Sequence, residues 1–164
     1  MRNHKKTNKK EVVFLVAIDF SDCARNALNQ AEILMAEKSA SIIALHVIDH
    51  DFIIDCIRHE LGDEAQIKKK LFLEAKAKLR DSIRQENMED DRVQIMVSQG
   101  VPYIEINRKA VENDVDMIII GSCGNTGGMS QIFFGSTAEK VLRFITHPVL
   151  CIPPESECRM GRQS

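Results

Sequence analysis

Five short β-rich segments alternate with helical patterns along this chain, and this alternation constrains its fold more than any other feature. The segments are residues 12–18, 41–47, 92–98, 115–121 and 147–153. Four of them are almost continuously apolar, as is typical of strands that are covered on both faces of a parallel sheet. The third alternates apolar with polar residues, so we expect it near an edge of the sheet.

Helical patterns occupy the gaps between these segments. We expect a first helix after a cap at Ser21 or Asp22, and a third helix after Pro102, which suits the first helical position. A fourth helix is expected to begin at Ser136, whose spacing from Glu139 matches a capping box. The second helix is strongly charged and has one apolar stripe, formed by Ile67, Leu71, Ala75, Leu79 and Ile83.

The order β-α-β-α-β-α-β-α-β predicts an α/β fold. Its strands should form a five-stranded parallel sheet with helices on both faces, because right-handed crossovers place helices on either side. Residues 49–64 form the one long irregular connection in this pattern, with room for a short helix within 51–61. Connections of this length often bind ligands.

Composition and charge limit the classes of protein to which the chain can belong. The 164 residues, 44% of them hydrophobic, suffice for one domain with a core. We expect that domain at 11–153, followed by a frayed tail at 154–164. Residues 1–10 are expected to form a disordered basic arm, and the alternative is a tether for an acidic partner. The formal net charge of −2 gives no reason to expect a nucleic acid as partner. No segment reaches the roughly 20 apolar residues of a membrane-spanning helix.

The five cysteines are scattered and never spaced CxxC, so the sequence predicts neither a disulfide framework nor a zinc site. This pattern suits a reducing compartment, and we expect a cytoplasmic protein. For Cys123 we expect a small packing residue, with a redox-sensitive thiol as the alternative. The side chains between His46 and His59 include metal-ligating types, but solvated side chains are the simpler interpretation, and no metal site is predicted.

Polar and glycine residues follow three of the predicted strands at the point where each strand ends. Asp19 follows the first strand, Val47 and Asp49 lie at the end of the second, and five of the chain's eight glycines lie from Gly121 to Gly135 after the fourth. In open α/β sheets the ligand crevice lies beyond the carboxyl ends of the strands. Glycines let the backbone approach an anion, and the N–H groups at a helix start favour phosphate. The sequence therefore predicts a nucleotide site.

Each of these features also has an interpretation without a ligand. Asp19 could cap the first helix or sit in its turn, Ser136 could serve as a helix cap alone, and Gly127–Gly128 could belong to a flexible loop. The segment matches neither GxxxxGK[ST] nor GxGxxG, two common phosphate motifs. The shared position of these features at one edge of the sheet favours the nucleotide.

Several segments together resemble one known family. VAIDFSDCARNAL, ALHVID, GSCGNTGG…FFGSTAEKVL and HPVLCIP, in this order and spacing, are similar to the universal stress protein family over residues 12–153. Its ATP-binding members carry G-x-x-G, a spacer and then G-[ST], which Gly121, Gly124 and Gly135–Ser136 match. The resemblance implies a Rossmann-like sheet of the adenine nucleotide alpha hydrolase type.

The resemblance also implies a ligand, its contacts and an oligomeric state. The ligand would be ATP, or else ADP or AMP, with Mg²⁺ or Mn²⁺, and a homodimer would form through the last strand, Val149–Ile152. The implied contacts are the backbone of Ala17, Ile18 and Val47 with adenine, Asp19 and Gly121 with the ribose, Gly124, Gly135, Ser136 and Thr137 with the phosphates, and Ile120 in the same site.

The glycine-rich segment departs from the family pattern in length and in charge. Ten residues, 125–134, separate Gly124 from Gly135, one more than the family pattern has, and none of them is basic. We therefore expect weaker contacts with the terminal phosphate of ATP.

The sequence favours an adenine-nucleotide-binding regulatory protein of the stress-response type, acting as a dimer. The alternatives are a dimeric interaction module that is independent of nucleotides and an enzyme that hydrolyses ATP slowly. No catalytic residue is predicted, because the glycine-rich segment has no Lys, Arg, His or carboxylate before Glu139.

Overall fold

The computed structural model describes residues 11–37, 39–59, 63–124 and 134–154. The predicted arm at 1–10, most of the segment 125–134 and the tail at 155–164 lie outside the described residues. In chain order the elements are β1 Val12–Ala17, α1 Asp22–Glu37, β2 Ala40–Asp49, α2 His50–Arg58, α3 Glu64–Gln85, β3 Val93–Gly100, α4 Pro102–Glu112, β4 Met117–Gly121, α5 Ser136–Arg143 and β5 Val149–Ile152.

The five strands form one parallel sheet in the order β3-β2-β1-β4-β5. The predicted sheet is confirmed, and β3 lies at an edge, as its alternating pattern indicated. β1 pairs with β2 on one side and with β4 on the other, so Ala17 lies opposite both Leu45 and Ile120. The chain leaves β1 towards β2 and later returns to its other side, which places the topological switch point between the carboxyl ends of β1 and β4.

Apolar side chains on both faces of the sheet hold the helices in two layers. Phe14 and Val16 of β1 pack in the layer that contains α1 and α3, whereas Leu15 and Ala17 pack in the layer that contains α4 and α5. Complete burial of a side chain the size of Leu15 or Val16 contributes about 1.5–3 kcal/mol. Because both faces are covered, β1 has to be apolar at successive positions, which explains its continuous run.

The connection between β2 and α3 folds mainly as the helix α2. Asp49 caps this helix, because its carboxylate accepts a hydrogen bond of 2.9 Å from the N–H of Asp51. Ile53 of α2 is buried in a small cluster with Ile48 and Ala75. The short helix is confirmed, but the expectation of a long irregular connection is wrong, since the cap and the apolar face of α2 fold this segment onto β2 and α3.

The turn from β3 into α4 is fixed by Gly100 and Glu105. The φ angle of Gly100 is +145°, and a Cβ there would lie 2.9 Å from Cγ of Glu105, so only glycine is accommodated. The buried carboxylate of Glu105 accepts hydrogen bonds from the Arg108 guanidinium, which holds its pKa below the usual value, and from the Ser98 hydroxyl. This network fixes the start of α4, including Pro102, at the carboxyl edge of the sheet.

Candidate functional site

A cavity of about 270 Å³ lies at the carboxyl edge of the sheet, at the switch point between β1 and β4. The ends of β1, β2 and β4 form its floor, and the starts of α1, α4 and α5 form its walls. The lining residues are Ala17, Ile18, Asp19, Ser21, Ala24, Leu45, Val47, Asp49, Pro102, Ile106, Ile120, Gly121, Cys123, Gly124, Gly135, Ser136, Thr137 and Ala138. Such a mixture of apolar side chains and a few polar groups is typical of ligand pockets.

This one cavity brings together all the binding residues that the sequence singled out. They are Ala17, Ile18, Asp19, Val47, Ile120, Gly121, Gly124, Gly135, Ser136 and Thr137. Their part in ligand binding stays a prediction. Sequence reasoning missed Pro102 and Ile106, although the position of Pro102 at the start of a helix after a strand was a signal that α4 would reach this edge.

The side of the cavity next to β2 is mainly apolar. Ala17 and Val47 lie at the ends of β1 and β2, and Ile106 faces them from α4. The N–H of Ile18 donates a hydrogen bond of 2.8 Å to the carbonyl of Leu45. This N–H is therefore already occupied and is not a donor for a ligand. Apolar side chains of the sheet and of α4 therefore line this side of the cavity.

The helix α1 begins at the cavity with a cap that the chain itself supplies. The Ser21 hydroxyl accepts a hydrogen bond of 3.2 Å from the N–H of Ala24, and the Ser21 carbonyl accepts one of 3.0 Å from Arg25. Ser21 rather than Asp22 is therefore the N-cap. Asp19 accepts hydrogen bonds from the N–H of Ser21, at 3.0 Å, and from its hydroxyl, so the carboxylate sits in the turn before α1.

The helix α5 begins at the cavity without such a cap. Gly135 is its N-cap residue, with no side-chain hydrogen bond to the helix start, and donates its own N–H to the carbonyl of Ser122 at 2.7 Å. The predicted capping box is wrong, because Ser136 is already helical and so lies one position too late to cap. Glu139 instead forms an ion pair of 2.6 Å with Arg143 on the same helix.

Three backbone N–H groups at the start of α5 have no acceptor within the helix. The first hydrogen bond of the helix runs from the N–H of Glu139 to the carbonyl of Gly135, at 2.9 Å. The N–H groups of Ser136, Thr137 and Ala138 precede that bond, and all three residues line the cavity. A helix start of this kind, at the positive end of the helix dipole, suits the binding of an anion.

Three glycines let the walls of the cavity approach one another closely. A Cβ on Gly135 would lie 3.2 Å from the backbone nitrogen of Gly124, and a Cβ on Gly124 would lie 2.8 Å from Oδ2 of Asp19. A Cβ on Gly121 would lie 2.7 Å from Cβ of Cys23. Side chains at these positions would push apart the starts of α1 and α5 and the end of β4. Glycine is therefore needed at all three positions for the cavity walls to pack this closely.

The model of the universal stress protein family matches residues 13–153 of this chain. The chain belongs to the universal stress protein family. It is 34% identical to the universal stress protein MJ0577 of Methanocaldococcus jannaschii, over 84% of this chain and 92% of that protein. The solved structure of the hypothetical protein MJ0577 has a TM-score of 0.73 to this chain at 32% identity, and the match covers 86% of this chain and 94% of that one.

Two less similar structures of the family were solved with nucleotides. One is a universal stress protein in complex with cAMP, at 18% identity and a TM-score of 0.58, which covers 88% of this chain and 98% of that one. The other is the universal stress protein from Archaeoglobus fulgidus in complex with dAMP, at 23% identity and a TM-score of 0.51, which covers 87% and 97%. At these identities the likeness shows the shared α/β fold.

In this universal stress protein, His46 supports the turn between β1 and α1 from behind the cavity. Its Nδ1 donates to the carbonyl of Ile18 at 2.7 Å, and its ring lies 4.5 Å from the ring of Phe20, centroid to centroid. Burial lowers the pKa of His46 from its usual value, against smaller opposing effects of Ile18 and Asp19. Burial therefore disfavours the charged ring, and Nδ1 carries the hydrogen of this bond because a carbonyl can only accept.

Cys23 of α1 and Cys123, which follows β4, are joined by a disulfide with their Cα atoms 6.0 Å apart. The expectations that the cysteines form no disulfide and that Cys123 is a packing residue are wrong for this pair. The parallel pairing of β1 with β4 brings the segments after both strands side by side, although 100 residues separate the two cysteines. Both cysteines follow strands that meet at the switch point. Their pairing can therefore be predicted only once the strand order is known.

The charge of the described cavity lining is negative. Its ionisable side chains are the carboxylates of Asp19 and Asp49, and no Lys, Arg or His is among the lining residues that the structure describes. Donors for an anion are therefore backbone N–H groups and the hydroxyls of Ser136 and Thr137. No group of three His, Cys, Asp or Glu side chains in the described ranges is placed to hold a metal ion. None of the helices in those ranges is long and apolar enough to cross a membrane.

Proposed function

We propose that this chain is an adenine-nucleotide-binding regulatory protein of the stress-response type, acting as a cytoplasmic homodimer. The observation that carries the proposal is the start of α5. Its cap residue is Gly135, its first three N–H groups have no acceptor within the helix, and it lies at the switch point of a parallel sheet. The nucleotides bound by two structural neighbours, cAMP and dAMP, support this choice of ligand class.

The cavity offers separate positions for the base, the sugar and the phosphates. The apolar space between Val47 and Ile106 suits a flat adenine ring. Asp19, at the middle of the floor, has carboxylate oxygens that accept hydrogen bonds from ribose hydroxyls. The phosphates then reach the start of α5, beside the backbone at Gly124.

The part of the cavity at the start of α5 suits a ligand with few phosphate charges, unless a cation accompanies the phosphates. The hydroxyls and N–H groups at Ser136 and Thr137 fit one or two phosphates, whereas the carboxylates of Asp19 and Asp49 repel further charge. A divalent cation would be held chiefly by the phosphate oxygens of ATP, since the described residues offer no set of protein ligands. It would supply the positive charge that the lining lacks.

Calorimetry tests how the nucleotide is bound. We expect AMP to bind at least as tightly as ATP without a divalent cation, and Mg²⁺ to increase the affinity for ATP but not that for AMP. Tighter binding of metal-free ATP than of AMP would contradict this account of the phosphate end.

The proposed ligand itself is tested by mass spectrometry of the purified protein. An adenine nucleotide should be released on denaturation, and added AMP or Mg-ATP should raise the melting temperature of nucleotide-free protein by several degrees, as mass action requires. Guanine and cytosine nucleotides serve as matched controls and should give smaller shifts. The absence of both a bound adenine nucleotide and a thermal shift would overturn the proposal and favour an interaction module that is independent of nucleotides.

Slow hydrolysis of ATP is the second activity that the same site allows. Phosphoryl transfer requires positioned cations and a group that orients the attacking water. The described lining supplies only Asp19 and Asp49 as ionisable groups, and both already accept hydrogen bonds at the starts of helices. We therefore expect phosphate release far below one turnover per second. Turnover in the range typical of enzymes, roughly 1–1000 per second, would contradict the regulatory assignment.

The position of β5 at the edge of the sheet supports the proposed homodimer. The carbonyl of Pro148 accepts a hydrogen bond from Ile118 of β4, and that of Ile152 accepts one from Ser122, directly after β4. Alternation along the strand therefore turns the backbone groups of Val149 and Cys151 outward. An edge strand with outward donors and acceptors is a template for pairing with a second copy. Light scattering should show a dimer for the native chain and for Cys151→Ala, and a monomer for Cys151→Pro, which lacks the outward N–H. A dimer in Cys151→Pro would place the contact elsewhere.

A further inference from the structure

The disulfide between Cys23 and Cys123 joins two walls of the candidate nucleotide cavity. Cys23 is the second residue of α1, and Cys123 lies in the lining between Gly121 and Gly124. We propose that this pair is a reversible thiol–disulfide site, which exchanges with small-molecule disulfides and thiols, and that its oxidised form binds the nucleotide more tightly than its reduced form. The proposal rests on the proposed nucleotide function and assigns a regulation to the same site.

The bond lies where a covalent link controls the shape of the cavity. The chain at the end of β4 packs directly on the first turn of α1, because a Cβ on Gly121 would lie 2.7 Å from Cβ of Cys23. The same segment holds the start of α5, through the hydrogen bond from the N–H of Gly135 to the carbonyl of Ser122. A link from Cys23 to Cys123 therefore fixes the start of α1 against the segment that positions the start of α5.

The two cysteine residues differ in exposure to solvent, which sets the order of the exchange. Cys23 is 4% exposed, whereas Cys123 is half-buried on the cavity wall. A small-molecule reactant therefore reaches the sulfur of Cys123, and Cys23 reacts from inside. The other described cysteines, Cys56 and Cys151, are free thiols. Burial raises the pKa of the Cys151 thiol, which disfavours the reactive thiolate there.

Oxidation of the reduced pair requires a low-molecular-weight disulfide, RSSR, as the oxidant. The thiolate of Cys123 attacks one sulfur of RSSR, which forms a mixed disulfide and releases one RS⁻. The thiolate of Cys23 then attacks the Cys123 sulfur, which forms the protein disulfide and releases the second RS⁻. Two electrons pass from the cysteines to RSSR, and the two thiol protons end on the two RSH molecules. Reduction by a thiol runs through the same steps in reverse.

The oxidised form binds more tightly because its cavity walls are ordered before the ligand arrives. In the reduced form the segment around Cys123 is no longer tied to α1, so the nucleotide has to order it, which reduces the affinity. Reduction should weaken binding about tenfold, within the usual range of coupling between two sites. Because such coupling is reciprocal, the nucleotide should stabilise the disulfide by the same factor.

The test measures AMP affinity by calorimetry in oxidised and in reduced protein, with oxidised and reduced glutathione as the exchange partners. The native chain and Cys151→Ser should both show the tenfold difference. The double variant Cys23→Ser/Cys123→Ser, which lacks both sulfurs of the pair, should show one affinity under both conditions. Saturating AMP should also lower, by the same factor, the ratio of oxidised glutathione to the square of reduced glutathione at which half the protein is oxidised. The square enters because the exchange consumes one oxidised and releases two reduced glutathione molecules.

The outcomes separate this inference from the proposed function. Equal AMP affinities in the oxidised and reduced native chain, or tighter binding in the reduced form, would overturn the inference and leave nucleotide binding intact. Thiol titration that finds no disulfide at any glutathione ratio would overturn it as well. If neither form binds any adenine nucleotide, the proposed function is wrong and the regulation is overturned with it.

Discussion

The helices α1 and α5 both begin at the carboxyl edge of the sheet beside one cavity, and they differ in how their first N–H groups are satisfied. At α1 the Ser21 hydroxyl accepts from the helix, and Asp19 holds Ser21 in place. At α5 the cap residue is Gly135, which has no side chain to offer. A helix start at the switch point is therefore not an anion site by position alone. Anion binding is favoured where the chain leaves the first N–H groups of a helix without an acceptor of its own.

The largest effect is expected from filling the start of α5. Gly135→Val should weaken AMP binding about 100-fold, which corresponds to the loss of one or two hydrogen bonds to a charged group, because a Cβ there already comes within 3.2 Å of the Gly124 nitrogen. Calorimetry measures the affinity, and circular dichroism confirms that the fold survives. Ala77→Val places the same valine side chain on the exposed face of α3 and is the control. Unchanged affinity in Gly135→Val would show that the phosphate lies elsewhere.

A smaller effect is expected on stability, where alanine substitution of the two serines at the helix starts should give different losses. Ser21→Ala should lower the free energy of unfolding by about 1 kcal/mol, since it removes the cap of α1. Ser136→Ala should change it by less than about 0.5 kcal/mol, because Ser136 is already helical and makes no cap hydrogen bond. Urea unfolding of both variants measures the difference. Equal losses of unfolding free energy in the two variants would show that Ser136 caps α5 after all.

The smallest effect concerns the pH dependence of the turn before α1. The folded-state pKa of His46 lies below its usual value of 6.5, so the unfolded chain binds more protons between the two values. The contribution of His46 to stability is therefore complete above pH 6.5 and is lost as the pH falls through its folded-state pKa. Lys78 acts in the same direction as burial, and Asp19 and the Ile18 carbonyl oppose it.

The variant His46→Asn tests this dependence, because its amide can still donate to the Ile18 carbonyl. Urea unfolding between pH 5 and pH 7 should give a flatter stability profile for the variant than for the native chain. An identical slope in both proteins would show that His46 does not titrate differently on folding.

The sequence predicted the sheet well because its signals are local. The apolar run of β1 follows from burial on both faces, and the alternation in β3 follows from its position at an edge. The cavity lining was predicted for the same reason, since every strand end in a parallel sheet faces one edge. Pro102 and Ile106 of α4 escaped this reasoning, because their place in the lining depends on how α4 packs.

Two details could not be read from the sequence because they depend on single positions in three dimensions. The capping box of Ser136 and Glu139 has the correct spacing, but the helix begins one residue earlier than a cap at Ser136 requires. The disulfide of Cys23 and Cys123 depends on the neighbouring positions of β1 and β4, which follow from the strand order and not from the spacing of the cysteines.

The central claim is that the start of α5, and not the start of α1, holds the phosphate of an adenine nucleotide. Nuclear magnetic resonance of ¹⁵N-labelled protein during titration with AMP, with adenosine as the matched control, tests it most directly. The amide signals of Ser136, Thr137 and Ala138 should shift with AMP and much less with adenosine, while those of α1 from Cys23 to Arg25 should respond alike to both. Phosphate-dependent shifts at α1, or none at α5, would contradict the account.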